Sequence, residues 1–409
     1  MPSGTSLYKQ LDRSMPLAPL AIVALPSARD LGEKISSYIS AFRRETADGN
    51  ESLAYHEGYC RDSYLADVLL ERFPSGEGRA VLQESLRGKD VFLLVDVMNW
   101  TVTYRINSYE NHMSPDDHYQ DLKRVISAIQ GKARRLTVIM PFLYEGRQHH
   151  RSGRESLDAA LMLKELMDLG VDNFITFDAH DPRIASVAPL GNFDNFVSPY
   201  QFLEALLNTV NDLQVDKDHV VVISPDEGAL DRTVYFANVI GADTGMFYKR
   251  RDYSRIVNGK NPIVAHEFLG TNLAGKDAII IDDMISSGGS MLDTSRQPKE
   301  HMHAGRVFIC TTFGLFTDGL EAFDKAYEEG WFDKVVCTNL TYLPQELLDR
   351  PYFAVADMSK YVATIIDYFN HDASISNMKV ATDKIHALLT EYNRREKKAL
   401  QDSGFIEED

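Results

Sequence analysis

The chain has 409 residues, of which 44% are hydrophobic and 25% charged, and its formal net charge is −17 at pH 7. This length predicts two domains, and the composition is typical of an ordinary globular protein. The negative charge argues against nucleic acid as a partner held by bulk electrostatics. The apolar stretch from Leu17 to Leu25 is too short to span a membrane and contains a proline, so we expect neither a signal peptide nor a membrane partner.

The chain contains three cysteines, Cys60, Cys310 and Cys337. Their positions show neither the spacing of metal ligands nor a disulfide framework. The cysteine content therefore favours the reducing cytoplasm as the compartment.

Short apolar runs recur along the chain, and each closes on a polar turn. Their length and β-branched content predict buried parallel strands. Helical patterns lie between many of them, as in Ser156–Leu169 and Pro199–Leu213, so we predict an α/β fold whose ligands bind at the carboxyl ends of the strands. The predicted strands are Ala21–Ala24, Val91–Val95, Leu136–Met140, Phe174–Phe177, Val220–Ile223, Ala278–Ile281 and Val307–Cys310.

A boundary near Val197–Pro199 would divide the chain into two similar α/β halves. Residues 43–70 carry scattered charge and little strand signal, which predicts an insertion or a helical excursion. The predicted segments are an N-terminal arm at 1–16, an N-terminal domain at 17–197, a C-terminal domain at 198–376 and a helical extension at 377–409.

The extension has a helical pattern from Ala381 to Leu400, in which apolar residues recur at helical spacing. A helix that packs on its own domain explains this pattern better than one that binds a partner. The apolar positions are Ile385, Leu388, Leu389 and Tyr392.

Three polar turns of the first half are candidates for binding. In RFPSGEG, Phe73 offers a ring for stacking and Glu77 an acceptor. In PFLYEGRQHHR, Arg147 and Gln148 lie in a donor-rich turn, and arginine is suited to phosphate contact. In FDAHDPR, His180 lies between two aspartates and is a candidate metal ligand, although a lone histidine is more often structural.

Two turns of the second half carry charge. In ISPDEGALDR, Asp226 can ligate Mg²⁺ or cap the following helix, and taken alone the cap is favoured. In YKRRD, Lys249 and Arg251 open a long polar segment that extends to about Leu269. These cations can form a mobile phosphate clamp, although a run of charge is more often a solvated face.

The most informative motif is AIIIDDMISSGGS, in which Asp282 and Asp283 end an apolar strand. A loop of Ser286, Ser287, Gly288, Gly289 and Ser290 follows, and then a predicted helix. Glycines let backbone N–H groups approach a phosphate, and a helix N-terminus favours its charge. The acids can hold ribose hydroxyls or Mg²⁺. The motif resembles the phosphoribosyl-diphosphate (PRPP) loop of type I phosphoribosyltransferases and PRPP synthetases, so both reaction classes stay open on this motif alone.

Read in order, six motifs resemble the ribose-phosphate pyrophosphokinase (PRPP synthetase) family. These are RFPSGEG, VIMPFLYEGRQ, ITFDAH, VISPDEG, YKRR and IIIDDMISSGGS. The resemblance implies two type I phosphoribosyltransferase-like domains, each a mostly parallel sheet flanked by helices. It implies transfer of the β,γ-pyrophosphoryl group of Mg-ATP to ribose 5-phosphate, with Mg²⁺ as cofactor and a homo-oligomer, dimer or hexamer, as the assembly.

The resemblance also implies a role for particular residues. It assigns ATP contact to Phe73, Glu77, Arg147 and Gln148, metal binding to His180 and Asp226, catalysis to Lys249 and Arg251, and ribose 5-phosphate to Asp282, Asp283, Ser286, Ser287, Gly288, Gly289 and Ser290.

The chain departs from the family pattern at several positions. Ser75 stands where the family usually has an aspartate, His149 and His150 replace an Asp-Arg pair, and Ser286–Ser287 replaces Asp-Thr. These changes affect base preference and sugar scope. They leave open two alternatives, a diphosphokinase for another 5-phosphorylated ribose compound and a non-catalytic regulatory homologue.

Overall fold

The computed structural model describes residues 11, 14–48, 50–151, 153–189, 191–251, 263–379 and 381–402. The chain forms two compact units that interleave in sequence. The first unit comprises Met1–Ser198, Asn339–Tyr342 and Met358–Lys379, and the second comprises Pro199–Thr338, Leu343–Asp357 and Val380–Asp409. The domain bounds set out above stay a prediction.

Strands and helices alternate along much of the chain. The strands are β1 (Leu20–Ala24), β2 (Val68–Arg72), β3 (Gly78–Leu82), β4 (Asp90–Leu94), β5 (Thr103–Ile106), β6 (Tyr109–His112), β7 (Arg135–Ile139), β8 (Asn173–Phe177), β9 (Asn192–Phe196), β10 (Val220–Ser224), β11 (Asp243–Arg251), β12 (Ile263–Gly270), β13 (Asp277–Ile285), β14 (Val307–Gly314), β15 (Lys334–Thr338) and β16 (Phe353–Ala356). The α-helices are α1 (Arg29–Asp48), α2 (Glu51–Ala54), α3 (Pro115–Ile129), α4 (Asp158–Asp168), α5 (Pro199–Thr209), α6 (Leu230–Ile240), α7 (Gly289–Met302), α8 (Glu321–Glu328), α9 (Gln345–Leu348), α10 (Ser359–Asn370), α11 (Ser376–Lys379) and α12 (Thr382–Asp402). Short 3₁₀ turns span Pro26–Ala28, Pro182–Val187 and Glu227–Ala229.

The first unit is built on a parallel sheet with the strand order β1-β4-β7-β8-β9. Buried residues of α3 and α4 pack against one face of this sheet. Two antiparallel hairpins, β2–β3 and β5–β6, belong to the same unit. Strands β1, β4 and β8 are buried along their whole length, as is typical of a parallel sheet covered by other elements, whereas the edge strand β9 is mostly polar.

Helix α10 joins the first unit although it follows most of the second unit in sequence. Arg43 on α1 and Asp367 on α10 form an ion pair of 2.7 Å between side chains that are each 1% exposed. The Arg43 guanidinium also donates to Asn370 at 2.6 Å and lies over the rings of Tyr59 and Tyr64. A buried charge needs such partners, since removing one would leave the other charge without compensation.

The second unit contains a sheet with the order β12-β11-β10-β13-β14-β15-β16. All neighbours are parallel except β11 and β12, which pair in antiparallel. Alternate residues of the central strands enter two separate apolar clusters, so Ile280 faces one cluster and Ile279 the other. Because successive strand residues point to opposite faces, this pattern is that of a sheet with helices on both sides.

Each of the seven predicted strands is present, and the helices predicted at Ser156–Leu169 and Pro199–Leu213 correspond to α4 and α5. Two predictions were wrong. Strand β13 does not end before the acids but continues through Asp282 and Asp283 to Ile285, and it pairs with β14 along this extension. The segment after YKRR is not polar loop as far as Leu269, since Ile263–Gly270 pairs with β11 as β12.

The structure shows what forms at residues 43–70 and in the C-terminal helix. Residues 43–70 contain the end of α1, the short helix α2 and the start of β2. The apolar face of α12 packs on the second unit, with Ile385 in the core and Leu388, Leu389 and Tyr392 against it, so the packing role is confirmed. Among the described residues, no helix is both long and apolar enough to cross a membrane.

Candidate functional site

Two acidic side chains lie near the carboxyl end of β13 and share one cationic partner. Nη1 of Arg232, on α6, is 3.3 Å from Oδ1 of Asp282 and 3.3 Å from Oδ1 of Asp283. Asp283 is buried, and its backbone N–H donates to the Asp282 carboxylate at 2.8 Å. Both carboxylates contact the same guanidinium nitrogen, so their two negative charges lie close together.

The surroundings of Asp282 shift the pKa of its carboxyl group. Burial raises the pKa of the Asp282 carboxyl well above its usual range, the charge of Asp283 raises it further, and Arg232 opposes both effects. A group whose ionisation is disfavoured in the free protein gains from a partner that donates hydrogen bonds or carries positive charge. Ribose hydroxyls and a divalent cation both meet that description.

The loop after β13 leads directly into the N-terminus of α7. Backbone N–H groups of Leu315 and Thr317 donate to the carbonyls of Ile285 and Ser286 at 2.9 and 3.0 Å, which ties the loop base to the chain after β14. The first four N–H groups of a helix have no intrahelical acceptor, and they carry the positive end of its dipole. The N-terminus of the 14-residue helix α7 therefore suits an anion by its charge and its N–H groups, and its predicted role in phosphate binding stays a prediction.

Gly288 is required at the cap of α7. Its φ is +91°, in the left-handed region, and a Cβ added there would overlap the ring of Phe323. Both features exclude a side chain, because a non-glycine residue would be strained and would also displace the phenyl ring. The glycine thus lets the loop turn tightly onto the helix and bring its backbone close to a ligand.

The register of the sheet brings further residues to the same edge. Ile223 of β10 pairs with Ile280, and Ser224 pairs with Met246. Asp226, two residues after β10, therefore follows a strand end that lies between β11 and β13. Its Oδ1 accepts from the N–H of Gly228 at 3.0 Å and caps the short turn Glu227–Ala229, so the capping role is present. A carboxylate has lone pairs beyond this one bond, and its role as a metal ligand stays a prediction.

Lys249 and Arg251 lie at the end of β11. Their backbones pair with His266 and Ile263 of β12, and the register shifts between Arg250 and Arg251. The side chains of Lys249 and Arg251 are outside the described residues, as is the segment 252–262, so the catalytic clamp stays a prediction. The strand end itself lies at the same sheet edge as β10 and β13.

In the first unit, the turn between β2 and β3 presents an aromatic ring and a carboxylate. Phe73 is exposed, and the Arg79 guanidinium lies 5.7 Å from the ring centroid. The Glu77 carboxylate accepts from the Ser75 hydroxyl at 2.8 Å, and the Phe73 N–H donates to the Glu77 carbonyl at 2.7 Å. The turn is compatible with stacking on one side of a base and hydrogen bonding at its edge.

The loop after β7 is held by its own polar groups. The Gln148 side chain donates to the carbonyls of Ser156 at 2.8 Å and His150 at 3.3 Å, so it closes the loop. Arg147, the neighbouring residue, is exposed. The predicted contacts of both residues with ATP stay a prediction.

His149, from the loop after β7, lies close to residues of the loop after β8. His149 Nε2 is 3.0 Å from Oδ2 of Asp181, and its ring centroid is 5.8 Å from that of His180. His150 Nδ1 is 2.9 Å from His149 Nε2. Hydrogen bonding from Arg183 lowers the pKa of Asp181 to about 2, so this carboxylate is ionised at neutral pH. The loops after β7 and β8 meet because their strands are neighbours in the sheet.

The acids at the edge of the second sheet have the oxygen chemistry that a divalent cation prefers. In the part of the chain that the structure describes, no three His, Cys, Asp or Glu residues form a cluster that could hold a metal ion. Mg²⁺ is commonly bound through one or two carboxylates, with waters and substrate phosphates completing its shell. The carboxylates of Asp226, Asp282 and Asp283 offer this oxygen chemistry at one sheet edge.

Comparison with known proteins agrees with the six motifs. Residues 20–170 match the model for the N-terminal domain of ribose phosphate pyrophosphokinase, and residues 202–314 match the phosphoribosyl transferase domain. The chain is 30% identical over 318 residues to a chloroplastic ribose-phosphate pyrophosphokinase of Oryza sativa subsp. japonica, which covers 77% of this chain and 71% of the relative. The chain belongs to the ribose-phosphate pyrophosphokinase family.

A second relative and a solved structure extend this match. A ribose-phosphate pyrophosphokinase of Parasynechococcus marenigrum is 29% identical over 87% of this chain and 98% of its own length. The crystal structure of phosphoribosylpyrophosphate synthetase from Mycobacterium smegmatis superposes with a TM-score of 0.66 at 20% identity, covering 87% of this chain and 99% of that one. The fold class is confirmed, with two phosphoribosyltransferase-type domains and mostly parallel sheets.

Sequence reasoning missed three side-chain contacts near the predicted site residues. Arg232 lies within the quoted ISPDEGALDR motif, but its contact with the paired acids depends on how α6 packs beside β13. Asp181 was noted only as a neighbour of His180, and its contact with His149 joins two loops. Arg72 opens the motif RFPSGEG, yet its side chain contacts Asp121 of α3. Spacing within a motif carries no signal for any of these contacts.

Proposed function

We propose that the chain transfers the β,γ-pyrophosphoryl group of ATP to the anomeric hydroxyl of ribose 5-phosphate, giving PRPP and AMP. The observation that carries this proposal is the arrangement of β13, the serine–glycine loop and α7 in a chain of this family. Paired acids beside a helix N-terminus suit a ligand that has vicinal hydroxyls at one end and a phosphate at the other.

The sugar phosphate is assigned to the second unit. Asp282 and Asp283 accept hydrogen bonds from the ribose hydroxyls, and such contacts relieve the crowding of negative charge described above. The 5-phosphate binds at the N-terminus of α7, where Ser286–Ser290 supplies hydroxyl and backbone donors. This pairing fixes the orientation of the anomeric carbon, and orientation is a large part of the rate in transfer reactions.

The nucleotide is assigned to contacts that the first unit supplies. Phe73 stacks on the base, Glu77 accepts from its edge, and Arg147 contacts the triphosphate, with Gln148 holding the loop that carries Arg147. His180 and Asp226 are the proposed protein ligands of Mg²⁺. When bound, Mg²⁺ would supply positive charge to the triphosphate oxygens.

The chemical step is an in-line displacement at the β-phosphorus. The anomeric oxygen forms the new O–P bond, the bond from this phosphorus to the α-phosphate oxygen breaks, and AMP leaves with that oxygen. Lys249 and Arg251 stabilise the charge that develops on the bridging and leaving oxygens. The proton of the anomeric hydroxyl passes to solvent, and no side chain of the described region is assigned as a general base.

The direct test is incubation of the purified chain with ribose 5-phosphate and Mg-ATP, followed by measurement of AMP, ADP and PRPP. We expect AMP and PRPP in equal amounts and only with a divalent metal. Formation of ADP, or no turnover on any 5-phosphorylated ribose compound, would contradict the proposal.

One departure favours a second candidate. Ser286–Ser287 replaces the Asp-Thr of the family pattern, so the loop has one carboxylate fewer beside the sugar phosphate. Diphosphoryl transfer to another 5-phosphorylated ribose compound would use the same machinery. A panel of such acceptors at equal concentration distinguishes the two candidates by their kcat/KM values.

Further features complete the proposal. From the cysteine content, the net charge and the lack of a long apolar span, we place the enzyme in a reducing cytoplasm and expect it to bind neither nucleic acid nor membrane. The family resemblance adds a homo-oligomer, a dimer or hexamer, and the domain bounds 17–197 and 198–376 belong to the same proposal. Sedimentation of the purified chain tests the assembly directly.

A further inference from the structure

The hairpin β5–β6 packs against the turn that we assign to the nucleotide base. Gly76, in this turn, has a φ of +92°, and a Cβ added there would overlap the Ile106 side chain. The end of β5 therefore lies in close contact with the backbone of the turn. Alternate residues of β5 are exposed, so Tyr104 and Ile106 share the less exposed face while Thr103 and Arg105 face solvent.

A second contact fixes the start of the same turn. The Arg72 guanidinium lies 5.1 Å from the centroid of the Tyr104 ring and donates to Asp121 of α3 at 2.8 Å. The Arg72 side chain is only 10% exposed. Asp121 also accepts from Arg124 at 2.6 Å, so its carboxylate is held from two sides. Arg72 is thus enclosed between an aromatic face and a fixed carboxylate.

The two contacts lie next to the residues that would meet the base. Arg72 directly precedes Phe73 and Gly76 directly precedes Glu77, so one face of β5 contacts the residue before each of them. Between these points the Ser75 hydroxyl positions the Glu77 carboxylate, while the Phe73 ring stays exposed. A binding turn that is held in its bound shape loses less conformational entropy when the ligand arrives.

We propose that Tyr104 and Ile106 are positioning residues for nucleotide binding, which they support by holding the turn 72–77 in place without touching the ligand. The inference rests on the proposed function, since it takes Phe73 and Glu77 as contacts of the base. It goes further by assigning the hairpin β5–β6 a selective effect on the nucleotide and none on the sugar phosphate.

The experiment compares Tyr104→Leu and Ile106→Ala with conservative and control variants. Tyr104→Phe keeps the aromatic face, Ile106→Val keeps most of the side chain, and Arg105→Gln changes the exposed face of the same strand. The readouts are the KM values for ATP and ribose 5-phosphate, kcat, the Kd of a fluorescent ATP analogue and the thermal unfolding midpoint.

We expect Tyr104→Leu and Ile106→Ala each to raise the KM for ATP and the Kd of the analogue by about two- to thirty-fold. Tyr104→Leu removes a cation–π contact, and Ile106→Ala removes apolar packing of similar energy. The KM for ribose 5-phosphate should stay within twofold of the wild-type value. Tyr104→Phe and Ile106→Val should restore most of the affinity, and Arg105→Gln should match the wild type.

The inference is overturned if both truncations lower the unfolding midpoint but leave nucleotide KM and Kd unchanged, or if they raise both KM values equally. If one truncation does not fold, the other decides. The binding titration separates this inference from the proposed reaction. A wild-type chain that binds the analogue without turnover contradicts only the reaction, whereas one that does not bind the analogue contradicts both.

Discussion

The edges formed by the carboxyl ends of the strands differ in chemistry between the two units, although both follow parallel strands covered by helices. In the first unit, the loops after β7 and β8 bring Arg147, His149, His150 and His180 to the edge. In the second unit, β13 brings Asp282 and Asp283 to the edge beside the N-terminus of α7.

The difference would let one architecture serve the two ligands that we propose. Cationic and imidazole groups suit a polyphosphate, which is rich in acceptor oxygens and negative charge. Paired carboxylates suit hydroxyl donors, and a helix end suits a single phosphate. The strands supply only the position, because ligands bind where strands end, and the loop residues supply the chemistry.

The largest effect is expected from substitutions at the end of β11, which test whether this strand adds catalytic cations to the acidic edge. Lys249→Ala and Arg251→Ala should each lower kcat by about 10²–10³ with a smaller change in KM, because their charges meet the transition state more than the bound substrates. Steady-state kinetics with both substrates varied gives the two parameters.

The control for this pair is Arg255→Ala, four residues further along the chain. The double variant should be less harmful than the product of the single effects, since both residues would act on one leaving group. A kcat close to that of the wild type in both single variants would instead identify the segment as a solvated surface, where exposed charges contribute little.

Gly288 joins the acidic edge to α7, and the first unit offers no prediction of the same kind for its own edge. Gly288→Ala should lower the free energy of unfolding by about 2–4 kcal/mol, because it combines a left-handed φ with overlap of Phe323. It should also raise the KM for ribose 5-phosphate more than that for ATP. Denaturant titration and kinetics measure the two effects.

Gly289→Ala is the matched stability control. A Cβ at Gly289 meets no atom within 4 Å, so its unfolding free energy should stay near that of the wild type. Equal destabilisation by the two substitutions would show that neither the left-handed conformation nor the contact with Phe323 matters.

Base selectivity concerns the nucleotide turn of the first unit. Ser75 lacks a carboxylate that could accept from the amino group of adenine, so we expect weak discrimination between ATP and GTP. One buried hydrogen bond of this kind is worth about 1–3 kcal/mol, and Ser75→Asp should raise the ATP preference by a corresponding factor. The ratio of kcat/KM values for the two nucleotides is the measurement, and a wild-type enzyme on which GTP is inert at saturation would count against the idea.

The smallest effect concerns the pH dependence of stability at the acidic edge. Because the pKa of Asp282 is raised by burial and by Asp283, its stabilising contribution is complete when it is protonated, below the unfolded pKa, and is lost as pH rises through the folded pKa. Asp282→Asn keeps an oxygen that can accept from Arg232 and from the Asp283 N–H. It should therefore raise the thermal midpoint at pH 8 by on the order of a few degrees, and the gain should shrink toward pH 4.

Asp231→Asn, at an exposed carboxylate on α6, controls for the change in net charge. Ribose 5-phosphate affinity should fall in Asp282→Asn even as the stability rises. A variant that is less stable than the wild type at pH 8 would show that the ionised carboxylate stabilises the fold.

The amino-acid order alone was enough to predict the α/β class, seven strands, the packing helix near the C-terminus and the family. Each of these depends on local information, namely an apolar run, a helical period or a motif such as IIIDDMISSGGS, which a short stretch of chain carries whatever surrounds it. The motif also predicted a serine–glycine loop before a helix, and in the structure Gly288 of this loop has a left-handed φ, which glycine adopts at little cost.

Contacts between residues that lie far apart in the chain depend on the tertiary structure. Ion pairing places Arg232 beside the acids and Arg72 on Asp121, and it brings α10 into the first unit through Arg43 and Asp367. Strand pairing extends β13 past its acids and orders β12, against the expectation of a strand end and a polar loop. Such contacts join residues far apart in the chain, and their stability comes from burial and pairing with a partner that local periodicity does not specify.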